Sequence, residues 1–231
     1  MWEAFVQAAT LLKQFDSEVW QIVAVSIQTS LTAVIFGTII GLPIGGFLAT
    51  NKFIGSHVLV TLLNSLMNVP TVIVGVCIYL LLSRSGPLGA FGLLFTMKGM
   101  IVAQSLITIP LIAAISRQII ADAWSQHSQT LQSFHLTRLL IIKWILWECR
   151  FSLVIALLAG FGRAISEVGA VMIVGGNIAH ATRTMTTAIS LETSKGDLPL
   201  ALALGIVLMG LVLFINGIAN FIKSAAERKY G

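Results

Sequence analysis

The stretch from Gly160 to Asp197 reads GFGRAISEVGAVMIVGGN over residues 160–177 and IAHATRTMTTAISLETSKGD over residues 178–197. Arg163 and Glu167 stand inside an apolar run that begins at Phe151. Glycines and Asn177 break that run, and a threonine-rich segment follows. A charge at the centre of a membrane span costs about 2.5–3.5 kcal/mol on insertion scales, so such charges face protein or a water-filled path. The stretch therefore predicts a membrane protein with a polar interior.

Composition agrees. Charged residues make up 10% of the 231 positions and hydrophobic ones 57%, with a mean hydropathy of +0.95. A soluble domain carries about 25% charged residues. No segment between the apolar runs reaches the roughly 50 residues that a soluble domain needs. The formal charge of +5 is scattered among apolar runs and forms no patch for nucleic acid. Cys77 and Cys149 have no metal-ligand spacing, and no ligand set for a metal stands out. The N-terminus, MWEAFVQAATLLKQF, lacks the basic stretch of a cleavable signal. Its Trp2, Phe5, Val6, Ala9 and Leu12 repeat at helical spacing, which reads either as a short interfacial helix or as a frayed tail.

A span needs about 20 mostly apolar residues. Five runs qualify: 22–50, 58–83, 98–121, 151–173 and 198–222. Gly37, Gly41 and Gly45 form a doubled small-xxx-small ridge for close helix packing, and kinks are expected at Pro43 and Pro70. With the N-terminus outside, the inner side holds Lys52, Arg117, Arg138, Lys143, Arg150, Lys223, Arg228 and Lys229. The outer side then holds only Lys13, Arg84, Lys98, Arg183 and Lys195. This bias predicts N-out and C-in.

The largest inner segment, 122–150, reads DAWSQHSQTLQSFHLTRLLIIKWILWECR past Ala121. Its first half is polar, and Leu136, Leu139, Leu140, Lys143, Trp144 and Trp147 give its second half an amphipathic pattern. It reads either as a docking surface, a short polar helix between amphipathic ones, or as an ordinary interfacial loop.

The chain resembles the transmembrane permease subunits of ATP-binding-cassette importers for oxyanions. NVPTVIVGVCIYLLLSRSGPLG in the second run is similar to molybdate and tungstate permeases, and GRAISEVGAVMIVGGNI in the fourth is closer still. RTMTTAISLETSKGD looks like the tungstate branch in particular. The resemblance implies an all-α membrane protein, the five-helix core of a type I (MetI-like) importer permease plus the short N-terminal helix, as a single transmembrane domain over 1–231. It also implies a homodimer in the cell membrane, two cytoplasmic ATPase subunits and an extracytoplasmic binding protein that delivers tungstate or molybdate.

The chain has no G-x-x-x-x-G-K-[ST] loop, so ATP and magnesium are expected on a partner, with no cofactor and no catalytic residue here. Docking of the ATPase is expected at Gln126, His127, Ser128, Gln129, Thr130, Leu131, Gln132 and Ser133. Family members carry E-A-A-x-x-x-G there. This chain has Gln126, His127 and Ser128 at E-A-A and Gln132 at the glycine.

Transport favours weak, multiple contacts, because a tight site would hold its cargo. Asn177, Arg183, Thr184, Thr186, Thr187 and Ser190 are the candidates to line the anion path. They read equally as caps of a short re-entrant helix, and Arg183 as an exposed residue at the outer mouth. Arg163 and Glu167, four apart on one helical face, read as a structural ion pair ahead of an anion site with a gate. A stand-alone anion channel or proton-coupled carrier is the alternative function. The short chain, the missing inverted repeat and the single intramembrane acid argue against it.

Overall fold

The computed structural model describes residues 2–14, 16–51, 53–133 and 137–230. Leu136, one member of the amphipathic pattern, lies outside them. All regular structure among the described residues is helical: α1 (Trp2–Lys13), α2 (Ser17–Thr50), α3 (Ser56–Met67), α4 (Thr71–Leu82), α5 (Met97–Ser133), α6 (Arg138–Glu148), α7 (Arg150–Ile165), α8 (Gly169–Gly175), α9 (Met185–Lys195) and α10 (Leu198–Tyr230). A single 3₁₀ turn, Gly89–Phe91, lies between α4 and α5.

α2, α5 and α10 are each long and apolar enough to cross a membrane, and the count reaches five if α3 with α4 and α7 with α8 each form one bent span. The first, third and fifth expected spans fall on α2, α5 and α10, and the other two fall on the bent pairs. The second is broken rather than kinked, with 97° between α3 and α4. Pro70 supplies no N–H and drives Val69 out of the helical region, so α3 stops at Met67 and α4 restarts at Thr71. The fourth span breaks by 58° between α7 and α8 at Ser166–Val168, where no proline stands. By contrast α2 passes through Pro43 as one helix.

α2 and α5 run parallel and form the densest packing in the molecule. Asp16 starts α2 by accepting the N–H groups of Glu18 (2.9 Å) and Val19 (3.2 Å). The glycine ridge then lets the two backbones meet. A Cβ on Gly41 would stand 2.8 Å from the Ile109 carbonyl, and one on Gly45 2.5 Å from the Ala113 carbonyl. The Ala33 carbonyl accepts from Thr108 Oγ1 at 3.4 Å across the same seam.

α4 and α8 also lie side by side and parallel, with Gly75 against Ala170 and Gly169 against Val72. Both breaks therefore fall at one level of the bundle. α1 packs on α10, burying Ala8 and seating Leu12 on a core of Val19, Ile22, Ile165, Met185 and Leu204. On α10, Leu213, Phe214 and Phe221 are left exposed, as a lipid-facing surface requires.

Candidate functional site

The break between α7 and α8 holds the two intramembrane charges. Arg163 Nη1 stands 3.3 Å from Glu167 Oε2, with side chains 41% and 2% exposed. Glu167 Oε1 accepts the Ala170 N–H at 3.2 Å, so the carboxylate also caps the start of α8. The Glu167 carbonyl accepts Thr186 Oγ1 at 2.7 Å. Behind it, Gln104 Nε2 donates to the Ala164 carbonyl at 3.0 Å. The buried carboxylate thus has a cation, a backbone donor and a fixed main chain around it, which is what a desolvated charge requires.

α9 folds back onto the break. Its first residues reach inward to the break, where the Met185 N–H donates to Ser26 Oγ at 2.7 Å. Thr184 is the N-cap and forms a capping box with Thr187, whose Oγ1 accepts the Thr184 N–H at 3.0 Å. The hydroxyls of Thr184, Thr186 and Thr187 are thus engaged within the chain and buried. Asn177, at φ 50°, closes the loop by donating Nδ2 to the Thr187 carbonyl at 3.3 Å. Ser190, farther along α9, is exposed.

Arg183 departs from the expectation of an exposed residue. Its side chain is 13% exposed, with Nη1 3.3 Å from Glu18 Oε1 and 3.8 Å from Glu192 Oε1. Lys195 Nζ completes the group at 3.0 Å from Glu192 Oε1. The physical reason is the turn ahead of α9, in which the Ile178 carbonyl accepts the Arg183 N–H at 3.1 Å and Arg183 is folded back over the start of α2. Beside it, His180 Nδ1 lies 2.8 Å from Gln21 Oε1.

The segment expected to dock an ATPase is not a separate short helix. It is the last turns of α5, which continue unbroken through Ser133. The chain has no glycine or proline between Pro110 and Ser133 to interrupt the helix, and Gln132 stands at the glycine position of E-A-A-x-x-x-G. Gln126, Gln129, Thr130 and Ser133 are exposed. Leu131 is buried against Ile141 and Ile145 of α6, and the His127 ring lies 5.2 Å from that of Trp144. The buried face of α6 is therefore Ile141 and Ile145. Leu140 and Trp147 of the expected amphipathic stripe are exposed instead, at 52% and 67%.

Sequence reasoning missed Gln104, Ser105, Thr108 and Thr182, all buried and polar. A glutamine inside the apolar run of α5 was the available signal. Thr182 gave none, because its role is local: it donates to the Gly175 carbonyl at 2.6 Å and accepts the Ile178 N–H at 3.0 Å.

No protein-family model matches the chain. It is 39% identical over 216 residues to the tungstate uptake system permease protein TupB of Peptoclostridium acidaminophilum, covering 94% of this chain and 95% of that one. It is 40% identical over 215 residues to a probable anion ABC transporter permease protein of Haloferax volcanii, covering 91% and 93%. A chain of the inward-facing MetNI methionine ABC transporter superposes with a TM-score of 0.65 at 15% identity, over 90% of this chain and 94% of that one. That likeness shows the fold, a MetI-like permease. The long apolar helices, the two broken spans and the end-to-end similarity converge, and the chain belongs to the family of ABC-transporter anion permeases that includes TupB.

Proposed function

We propose that this chain is the membrane subunit of an importer that moves tungstate, or secondarily molybdate, into the cytoplasm. The carrying observation is similarity along nearly the whole chain to permeases of tungstate uptake systems. In this reading a second copy completes the path, and two cytoplasmic ATPase subunits bind and hydrolyse ATP with magnesium. An extracytoplasmic protein delivers the anion. The protein sits in the cell membrane with its N-terminus outside and its C-terminus in the cytoplasm. Basic-residue counts favour this orientation, and the parallel runs of α2 with α5 and of α4 with α8 agree with alternating spans.

The exposed Gln126, Gln129, Thr130 and Ser133 at the end of α5 form the ATPase contact. Leu131 and His127 anchor that contact on α6, so movement of the ATPase is transmitted to the start of α7. Thr184, Thr186, Thr187 and Asn177 shape the outer wall of the path by fixing α9 against the Glu167 main chain, while Ser190 offers a free hydroxyl beside it. Arg183 closes the outer end of the same wall through Glu18 and Glu192.

Affinity purification from native membranes tests this assignment. The expected result is co-recovery, in equal amount, of an ATPase subunit that carries a G-x-x-x-x-G-K-[ST] loop. If the chain purified alone moves tungstate across liposomes, it is a channel or carrier instead.

A further inference from the structure

Arg163 has a role left open by its ion pair. It lies about 20 Å along α7 from Arg150, at 1.5 Å per residue, in a hydrocarbon core about 30 Å thick. Its partner is buried, yet its own side chain is 41% exposed. A surface at that depth meets lipid, protein or a water-filled path. Lipid would cost the guanidinium about 2.5–3.5 kcal/mol.

Small and polar residues stand beside the charge. Gly162 and Ser166 share its face, a Cβ on Gly162 would meet nothing within 4 Å, and Ser166 is exposed. Ser152 continues the same face toward the start of α7. The lipid-facing side of α10, by contrast, presents leucine and phenylalanine.

We propose that Arg163 is a transient contact for the tetrahedral oxyanion inside the membrane, presented by Glu167 at reduced strength. This rests on the import reading above and adds a residue to it. A guanidinium carries five N–H donors in a planar fork, suited to two oxygens of one oxyanion. Nη1 stands 3.3 Å from Glu167 Oε2, and the 41% exposure of the side chain leaves room for an anion to approach it. Glu167 is held independently by the Ala170 N–H, so the carboxylate keeps its place while the guanidinium turns toward a passing anion. The paired carboxylate cancels much of the field of Arg163. The anion is drawn without being trapped, as passage requires.

The test uses the complete complex in liposomes, with Cys77 replaced by Ser to remove the exposed native thiol. Ser166→Cys leaves Arg163 intact and places a thiol one helical turn away. A charged, water-soluble methanethiosulfonate is expected to label it, and millimolar sodium tungstate to slow that labelling at least threefold. Sodium perrhenate, a tetrahedral monoanion, is expected to slow it less at equal ionic strength. Adding Arg163→Gln is expected to abolish the protection. If that variant fails to assemble, Arg163→Gln with Glu167→Gln removes both charges while keeping the shapes, and the same loss is expected.

No labelling of Ser166→Cys, or protection that persists without Arg163, overturns the proposal. Tungstate uptake is measured in the same vesicles. Uptake without protection overturns the Arg163 contact alone, whereas protection without uptake supports the contact and overturns the import reading.

Discussion

The seam between α2 and α5 lends itself to a matched pair of substitutions at Gly45 and Gly46. A methyl group on Gly45 would stand 2.5 Å from both the Ala113 carbonyl and Ser116 Oγ, and 2.9 Å from the Arg117 nitrogen. None of these atoms moves easily. Two belong to the α5 backbone, and Ser116 Oγ is itself tied to the Ile112 carbonyl at 2.5 Å. Restoring an ordinary contact of 3.4 Å would separate the helices locally by about 0.9 Å. Overpacking of this kind costs about 1–3 kcal/mol, against which alanine recovers at most about 1 kcal/mol of helix propensity. On Gly46 the methyl group would lie 3.6 Å from Ile120 Cδ1, an ordinary contact, so only the propensity gain remains. Gly45→Ala is therefore expected to be less stable than Gly46→Ala by roughly 1–3 kcal/mol. Reversible unfolding in mixed micelles, followed by tryptophan fluorescence, measures the difference. Equal stabilities for the two variants would refute the close approach of α2 and α5.

Three further outcomes follow from the same geometry. Thr187→Val keeps the side-chain shape but removes the hydroxyl that accepts the Thr184 N–H, and is expected to cost about 0.5–2 kcal/mol in the same unfolding measurement. Arg183→Met leaves the buried Glu192 with Lys195 as its remaining ion-pair partner and is expected to cost on the order of 1–3 kcal/mol. Pairing it with Glu192→Gln recovers part of that loss, whereas Glu18→Gln alone changes little because Glu18 is 44% exposed. Burial pushes the Cys149 thiol up, and the charges of Glu148 and Asp122 push it the same way, so its reactive thiolate is scarce at pH 8. In detergent, maleimide is expected to label the exposed Cys77 and to spare Cys149 until the protein is denatured, as a mass spectrum of the labelled chain will show.

Much of this architecture is legible in the residues. Five apolar runs mark the spans, and the four-residue spacing of Gly37, Gly41 and Gly45 announces the tight seam, because both properties are local and periodic. The same spacing brings Arg163 within reach of Glu167. The break at Ser166–Val168 is not legible. No proline or positive φ marks it, and besides the local Ala170 N–H it is held by Thr186, whose contribution depends on α9 folding back.

Arg183 misleads for a related reason. Glu18, the nearer of its two carboxylate partners, stands 165 residues away in sequence, and Glu192 is off the helical spacing that would announce a pair. The unbroken end of α5 has a local cause that can be read once the helix is seen: no glycine or proline stands between Pro110 and Ser133. Pro70 sits between these cases. Its presence predicts a bend, but not the 97° angle, with α3 packed on α5 and α4 on α8.

The central claim is ATP-driven import of a tetrahedral oxyanion through this chain. The complete complex, reconstituted in liposomes with its ATPase and loaded binding protein, tests it by tungstate uptake. Uptake is expected only when ATP is present on the ATPase side, with ATP hydrolysis rising when tungstate-loaded binding protein is added on the other. Tungstate uptake that continues without ATP, or that needs neither partner, would contradict it.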